Sequence, residues 1–152
     1  MGHHYKKEKK TMQAYYITSV SGWVILGLLV ATILYPFLLR SGFLGPVQPF
    51  LKRMRLHYWL GYSITALVIV HAWIPMSERL AGSVNALGLY LGTGALLLVF
   101  VQVALGRQLS WPKLSLRRVV RRWHFWVMVG LVAFVVGHIV LDSATIQGLI
   151  AR

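Results

Sequence analysis

Two short stretches decide how this chain is read: Arg55-Leu56-His57-Tyr58-Trp59-Leu60-Gly61 leading to His71, and Arg122-Trp123-His124-Phe125-Trp126 leading to His138. In each, the two histidines stand fourteen positions apart. At ~3.6 residues per turn, that step returns the second ring to within about 40° of the first and carries it ~21 Å along the helix axis. Each stretch therefore puts two imidazoles on one face of a helix, at two depths.

The residues around these stretches are apolar blocks, not an amphipathic rhythm. Residues 15–39, 56–75, 80–105 and 123–141 contain no Asp, Glu, Lys or Arg. Each block is near or above the roughly 20 residues a helix needs to cross a ~30 Å hydrocarbon core. Backbone inside lipid must satisfy its own hydrogen bonds, so the blocks are expected to be helices. A hydrophobic content of 57% against 12% charged residues excludes an ordinary soluble domain. The expected fold is an all-α membrane protein, a four-transmembrane-helix bundle forming a single domain over residues 1–152.

Punctuation residues place the connections. Pro36 is expected to kink or end the first helix, and Pro75 to close the second. Gly42, Gly45, Pro46 and Pro49 give an irregular first connection, Ser77–Gly82 a short turn, and Pro112 breaks the third connection after a helix ending near Gly106. Leu116–Arg122 reads as a basic, amphipathic lead-in at the membrane surface. The first apolar stretch is too long for a signal-peptide core and is expected to stay in the mature protein.

A net charge of +13 invites a nucleic-acid reading, but its placement argues for lipid. Arg40, Lys52, Arg53 and Arg55 lie in the first connection, and Arg107, Lys113, Arg117, Arg118, Arg121 and Arg122 in the third; both fall on one membrane side. Glu8, Glu78 and Asp142, the only acids, fall on the other. Positive-inside logic puts the basic connections in the cytoplasm and both termini outside, although Lys6, Lys7, Lys9 and Lys10 run against it. Headgroup anchoring accounts for most of these charges, and no nucleic-acid partner is implied. His3 and His4 read as solvated tail residues. The chain has no cysteine, which excludes disulfides, thiolate-held iron–sulfur clusters and covalent c-type haem.

A repeat at an offset of 67 residues ties the two stretches together. Arg55–Trp59 aligns with Arg122–Trp126, His71 with His138, Arg40 with Arg107, and Gly27 with Gly94. Two equivalent helical hairpins follow, each with a spacer helix and a histidine helix. The histidine helices, second and fourth, then run parallel, so His57 and His124 share one depth and His71 and His138 the other.

Ionisable residues within a bilayer usually mark function. Four packing histidines would predict no equal spacing, and a proton relay usually recruits acids, none of which lies within a span. Opposed neutral imidazoles are what haem iron accepts as axial ligands. The reading is two stacked b-type haems between helices 2 and 4, with His57, His71, His124 and His138 as iron ligands. Gly22, Gly27, Gly88, Gly92 and Gly94 offer thin neighbours for such a site, or serve plain helix packing. Arg53, Arg55, Arg121 and Arg122 lie within about a turn of His57 and His124 and suit the propionates of one haem. Ser77, Arg79 and Asn85 are the nearest candidates for the other. Two ligands per iron fill both axial positions, which implies electron transfer and no free site for O₂. Trp59, Trp73, Trp126 and Phe125 are candidates to lie near the electron route, or to form an interfacial belt.

At these histidine stretches the chain resembles the ferric-reductase-like transmembrane superfamily. That group includes metalloreductases, NADPH oxidases and the haem-bearing subunit of a periplasmic methionine-sulfoxide reductase system. The spacing is also similar to the di-haem bundle of respiratory cytochrome b. The resemblance covers the four-helix core. It implies that His57 and His124 hold a cytoplasm-side haem, and His71 and His138 an outer one. The cytosolic flavin and nicotinamide module usual in ferric reductases and NADPH oxidases has no counterpart here, nor is there a Gly-rich dinucleotide fingerprint. Electrons are then expected from a redox partner protein (a flavoprotein or other reductase) or a membrane quinol. The alternatives are a stand-alone ferric or oxygen reductase at the outer haem, a quinol-oxidising cytochrome b subunit, and a haem-free transporter or assembly factor.

Overall fold

The computed structural model describes residues 2–41, 54–77, 86–111 and 115–142, with the side chains of 2–11, 75 and 77 left out of the description. Each of the four apolar blocks is helical over its described residues. They form α1 (Gly2–Arg40), α2 (Arg55–Ser77), α3 (Ala86–Leu109) and α4 (Arg117–Asp142). Three of them are long and apolar enough to cross a membrane: Met12–Arg40 within α1, all of α3 and all of α4. That fits an integral membrane protein. The second block, α2, is a 23-residue helix, but His57, Tyr58, Tyr62, Ser63, Thr65 and His71 dilute its apolar character.

Helix ends depart from expectation in a consistent direction: they run further. Pro36 neither ends nor breaks α1, which continues through it to Arg40. Its ring removes one N–H, and the turns on either side hold the helix together. The polar residues before Met12 extend α1 back to Gly2, so the segment expected as a tail is helical. Likewise α2 runs past Pro75 to Ser77, and α3 past Gly106 to Leu109. Leu116 stands just ahead of α4, and the basic lead-in that follows is continuous with the span. Residues 42–53 and 78–85, which hold the expected first loop and second turn, lie outside the described residues, as does Pro112.

The helices pair as two hairpins. Backbones pack most closely between α3 and α4, then between α1 and α2, and less extensively between α2 and α3. The pair α2 and α4 is not among them. What joins the hairpins is an apolar cluster of Leu29, Ile64, Ala95, Val99 and Leu131, one or two residues from every helix. Ile25, Leu28, Ile33, Val68, Leu98 and Val135 pack around it. Ile64 and Leu131 are the most buried hydrophobic side chains among the described residues, at 4% and 2% exposed. Each lies seven positions from both histidines of its own helix, about 10 Å from either level. Most other large apolar side chains, such as Val70, Leu97 and Val136, face outward, as they must where lipid is the solvent.

Candidate functional site

The four histidines do not sit on the outside of the bundle. All are partly buried, and each ring has a polar partner on a spacer helix. His57 Nδ1 donates to the Thr32 carbonyl at 3.1 Å. That carbonyl is available because the residue four positions on is Pro36, which has no N–H to give it. The same proline that was expected to interrupt α1 instead frees an acceptor for α2. His138 Nδ1 donates to the Gly88 carbonyl at 2.9 Å. His71 Nδ1 lies 2.9 Å from Ser21 Oγ. The Ser21 hydroxyl proton goes to the Thr18 carbonyl at 2.9 Å, so toward His71 the hydroxyl accepts. In all three rings Nδ1 therefore carries the proton, and Nε2 keeps its lone pair.

His124 is arranged differently. Its Nε2 takes a 3.3 Å contact from the amide nitrogen of Gln102. Its Nδ1 and the Gln102 Oε1 are both buried and have no hydrogen-bond partner. Two orphaned polar atoms on a contacting pair of side chains mark a place where those side chains have not found their full complement.

Small residues set the rings close to the spacer helices. A Cβ added at Gly22 would lie 3.3 Å from His71 Cε1, one at Gly92 3.1 Å from His138 Cε1, and one at Gly106 3.4 Å from His124 Cε1. Gly106 was legible in the sequence only as a helix end. Gly94 instead makes room for Phe134, Gly88 for the carboxylate of Asp142, and Gly27 has nothing within 4 Å. Gly27 thus loses the role of thin neighbour.

Across the bundle, the rings of His57 and His124 approach to 6.4 Å between centroids, with planes 69° apart. They do so from two helices whose backbones are not closely packed. Both rings line a cavity of about 1120 Å³, larger than most sites for small ligands. Its floor is the apolar cluster, through Leu29, Ile64, Val99 and Leu131. Its mouth is basic: Arg40, Arg107, Arg117, Arg118, Arg121 and Arg122 all line it. Arg121 and Arg122 thus share the cavity with His57 and His124. Arg55 is exposed and does not line the cavity, because it opens α2 on the helix's outer side. Arg53 and Arg79 and Asn85 lie outside the described residues, as does the side chain of Ser77. Arg40 and Arg107, equivalent in the repeat, were not singled out for the site, although their matched positions at the ends of α1 and α3 were visible.

At the other depth stand His71 and His138, held by Ser21 and Gly88 on the spacer helices. His138 Nδ1 also stands 3.0 Å from Asp142 Oδ2. The i, i+4 spacing of 138 and 142 carried that signal, but Asp142 read as lying just past the span. The aromatics considered for a route mostly face away: Trp59 and Trp73 are 65% and 69% exposed. Trp126 is exposed beside Phe125, their rings 5.5 Å apart, and only Phe125 of the four lines the cavity. They form a belt.

No group of three or more His, Asp or Glu side chains is gathered among the described residues. Two imidazoles alone cannot complete a metal's coordination. What the site offers is two imidazoles 6.4 Å apart, a large and mostly apolar cavity that both line, and arginines in its lining. Comparison with protein-family models, curated proteins and solved structures finds no match to this chain.

Proposed function

We propose that this chain is a di-haem b-type membrane cytochrome that moves electrons across the bilayer, as the membrane subunit or partner of a larger redox system. The observation that carries the reading is the facing pair His57 and His124, 6.4 Å apart at the wall of the cavity. His57 and His124 would hold the haem iron through imidazole nitrogen. The chamber is apolar where a macrocycle is apolar, and basic at the rim where propionates would seek cations.

The chain's own residues have definable tasks. Thr32, Ser21 and Gly88 hold the Nδ1 protons of His57, His71 and His138, which fixes ring orientation and leaves Nε2 to donate. Gln102 now lies on Nε2 of His124; a change of its side-chain torsions clears that nitrogen. Arg121, Arg122, Arg118, Arg117, Arg40 and Arg107 supply the positive rim. Haem, when bound, would supply a one-electron ferric/ferrous couple. α2 is taken as the fourth span, with the arginine-rich side cytoplasmic. The donor is a flavoprotein, another reductase or membrane quinol, in keeping with the resemblance to the ferric-reductase-like and cytochrome b bundles.

The test is direct. Purified protein should give two b haems per chain by pyridine haemochrome, and reduced-minus-oxidised spectra with b-type bands. One haem, or none, refutes the assignment.

A further inference from the structure

The two depths of the bundle are not electrostatically alike. In the repeat, Ser21 corresponds to Gly88, His71 to His138 and Pro75 to Asp142. The first hairpin therefore offers its outer histidine a neutral hydroxyl and, one turn on, a proline. The second offers a carbonyl and a carboxylate. Asp142 is only 11% exposed, and its Oδ2 is 3.0 Å from His138 Nδ1. The Nδ1 proton is directed at the Gly88 carbonyl, and both Asp142 oxygens are buried without a hydrogen-bond partner among the described residues. The carboxylate occupies the space a side chain at Gly88 would fill. Gly88, His138 and Asp142 thus interlock across α3 and α4. The inner level has the opposite surroundings, with six arginines at the cavity rim.

We infer that Asp142 is a positioning residue for His138 that makes the outer haem site the lower-potential one of the two. This rests on the haem reading above. A carboxylate oxygen 3.0 Å from the far nitrogen of a ligating imidazole, whose proton the Gly88 carbonyl holds, would raise the basicity of Nε2 through its charge. A buried negative charge also favours the more positive, ferric state, and does so strongly where water is excluded. The arginine rim acts in the other direction on the inner site, favouring the ferrous state.

The experiment is a spectroelectrochemical titration of the full-length protein in nanodiscs, with wild type, Asp142→Asn, Asp142→Glu and Gly88→Ala. Wild type should titrate as two components. Asp142→Asn should raise the lower midpoint and leave the upper one in place; Asp142→Glu should return it toward wild type. Gly88→Ala, which displaces the carboxylate without removing it, should shift the same component upward. In a His71→Ala background, where the outer haem is lost, Asp142→Asn should move nothing. Unchanged midpoints in Asp142→Asn at full haem content overturn the inference, as does an equal shift of both components. Loss of the outer haem from Asp142→Asn but not Asp142→Glu supports it; loss from both overturns it. A wild-type protein without haem fails earlier and differently, sinking the parent reading itself.

Discussion

Pro36 and Thr32 show how one residue on a spacer helix can set a ring on another. Thr32 would ordinarily give its carbonyl to the N–H four residues on; proline has none, and His57 takes the place at 3.1 Å. Replacing Pro36 with Ala restores a competing donor and should weaken the His57 tie by up to about 1 kcal/mol, visible as a change in one haem's spectrum and faster loss of that haem. His71→Ala should remove one haem and spare the other, checked by pyridine haemochrome; loss of neither contradicts the pairing. Among the glycines the outcome depends on the neighbour. Gly92→Leu collides with the His138 ring, whose atoms stand 3.1 Å from the added Cβ, and should strip the outer haem. Gly27→Ala meets nothing and should be neutral or stabilise by about 0.5–1 kcal/mol through helix propensity. At this scale the four histidines were legible because their spacing repeats. Their partners were not: a backbone carbonyl such as that of Thr32 or Gly88 has no signature of its own in a sequence, and Gln102 looked like any polar residue in a span.

The helices themselves were read closely, since an uncharged apolar block of span length has few alternatives. Their ends were read short, because proline and glycine signals calibrated on exposed helices lose force where neighbours support the turn. The arginines divide by helix face. Arg121 and Arg122 share the start of α4 with Arg117 and Arg118, and all four reach the cavity, whereas Arg55 at the start of α2 does not. A sequence window near a histidine cannot tell these apart; the direction in which the helix faces its neighbours can. Substituting Arg118 and Arg121 together with Gln should speed haem release by roughly ten-fold or more, as expected for losing charge-assisted hydrogen bonds of about 1.5–3 kcal/mol, whereas Arg55→Gln should leave the rate near wild type. Transfer of haem to an apo-protein trap, followed optically, measures both.

At the level of the whole molecule, the absence of cysteine makes the orientation easy to examine. Gln108→Cys, exposed at the end of α3, should react with an impermeant maleimide only when the cytoplasmic face is opened. The layer formed by Leu29, Ile64, Ala95, Val99 and Leu131 joins both hairpins, and Leu131→Ala should cost about 2 kcal/mol or more in unfolding resistance. That layer has a further consequence under the proposed function. Its five side chains are all hydrocarbon, and the Thr65 hydroxyl beside it is turned back to the Gly61 carbonyl of its own helix, so it is a poor step for a proton. An electron passing from one face to the other would travel unaccompanied, so turnover in a sealed vesicle would build a voltage that opposes itself. Such a protein would behave as a current source, slowing as the membrane charges and speeding up when valinomycin and potassium discharge it.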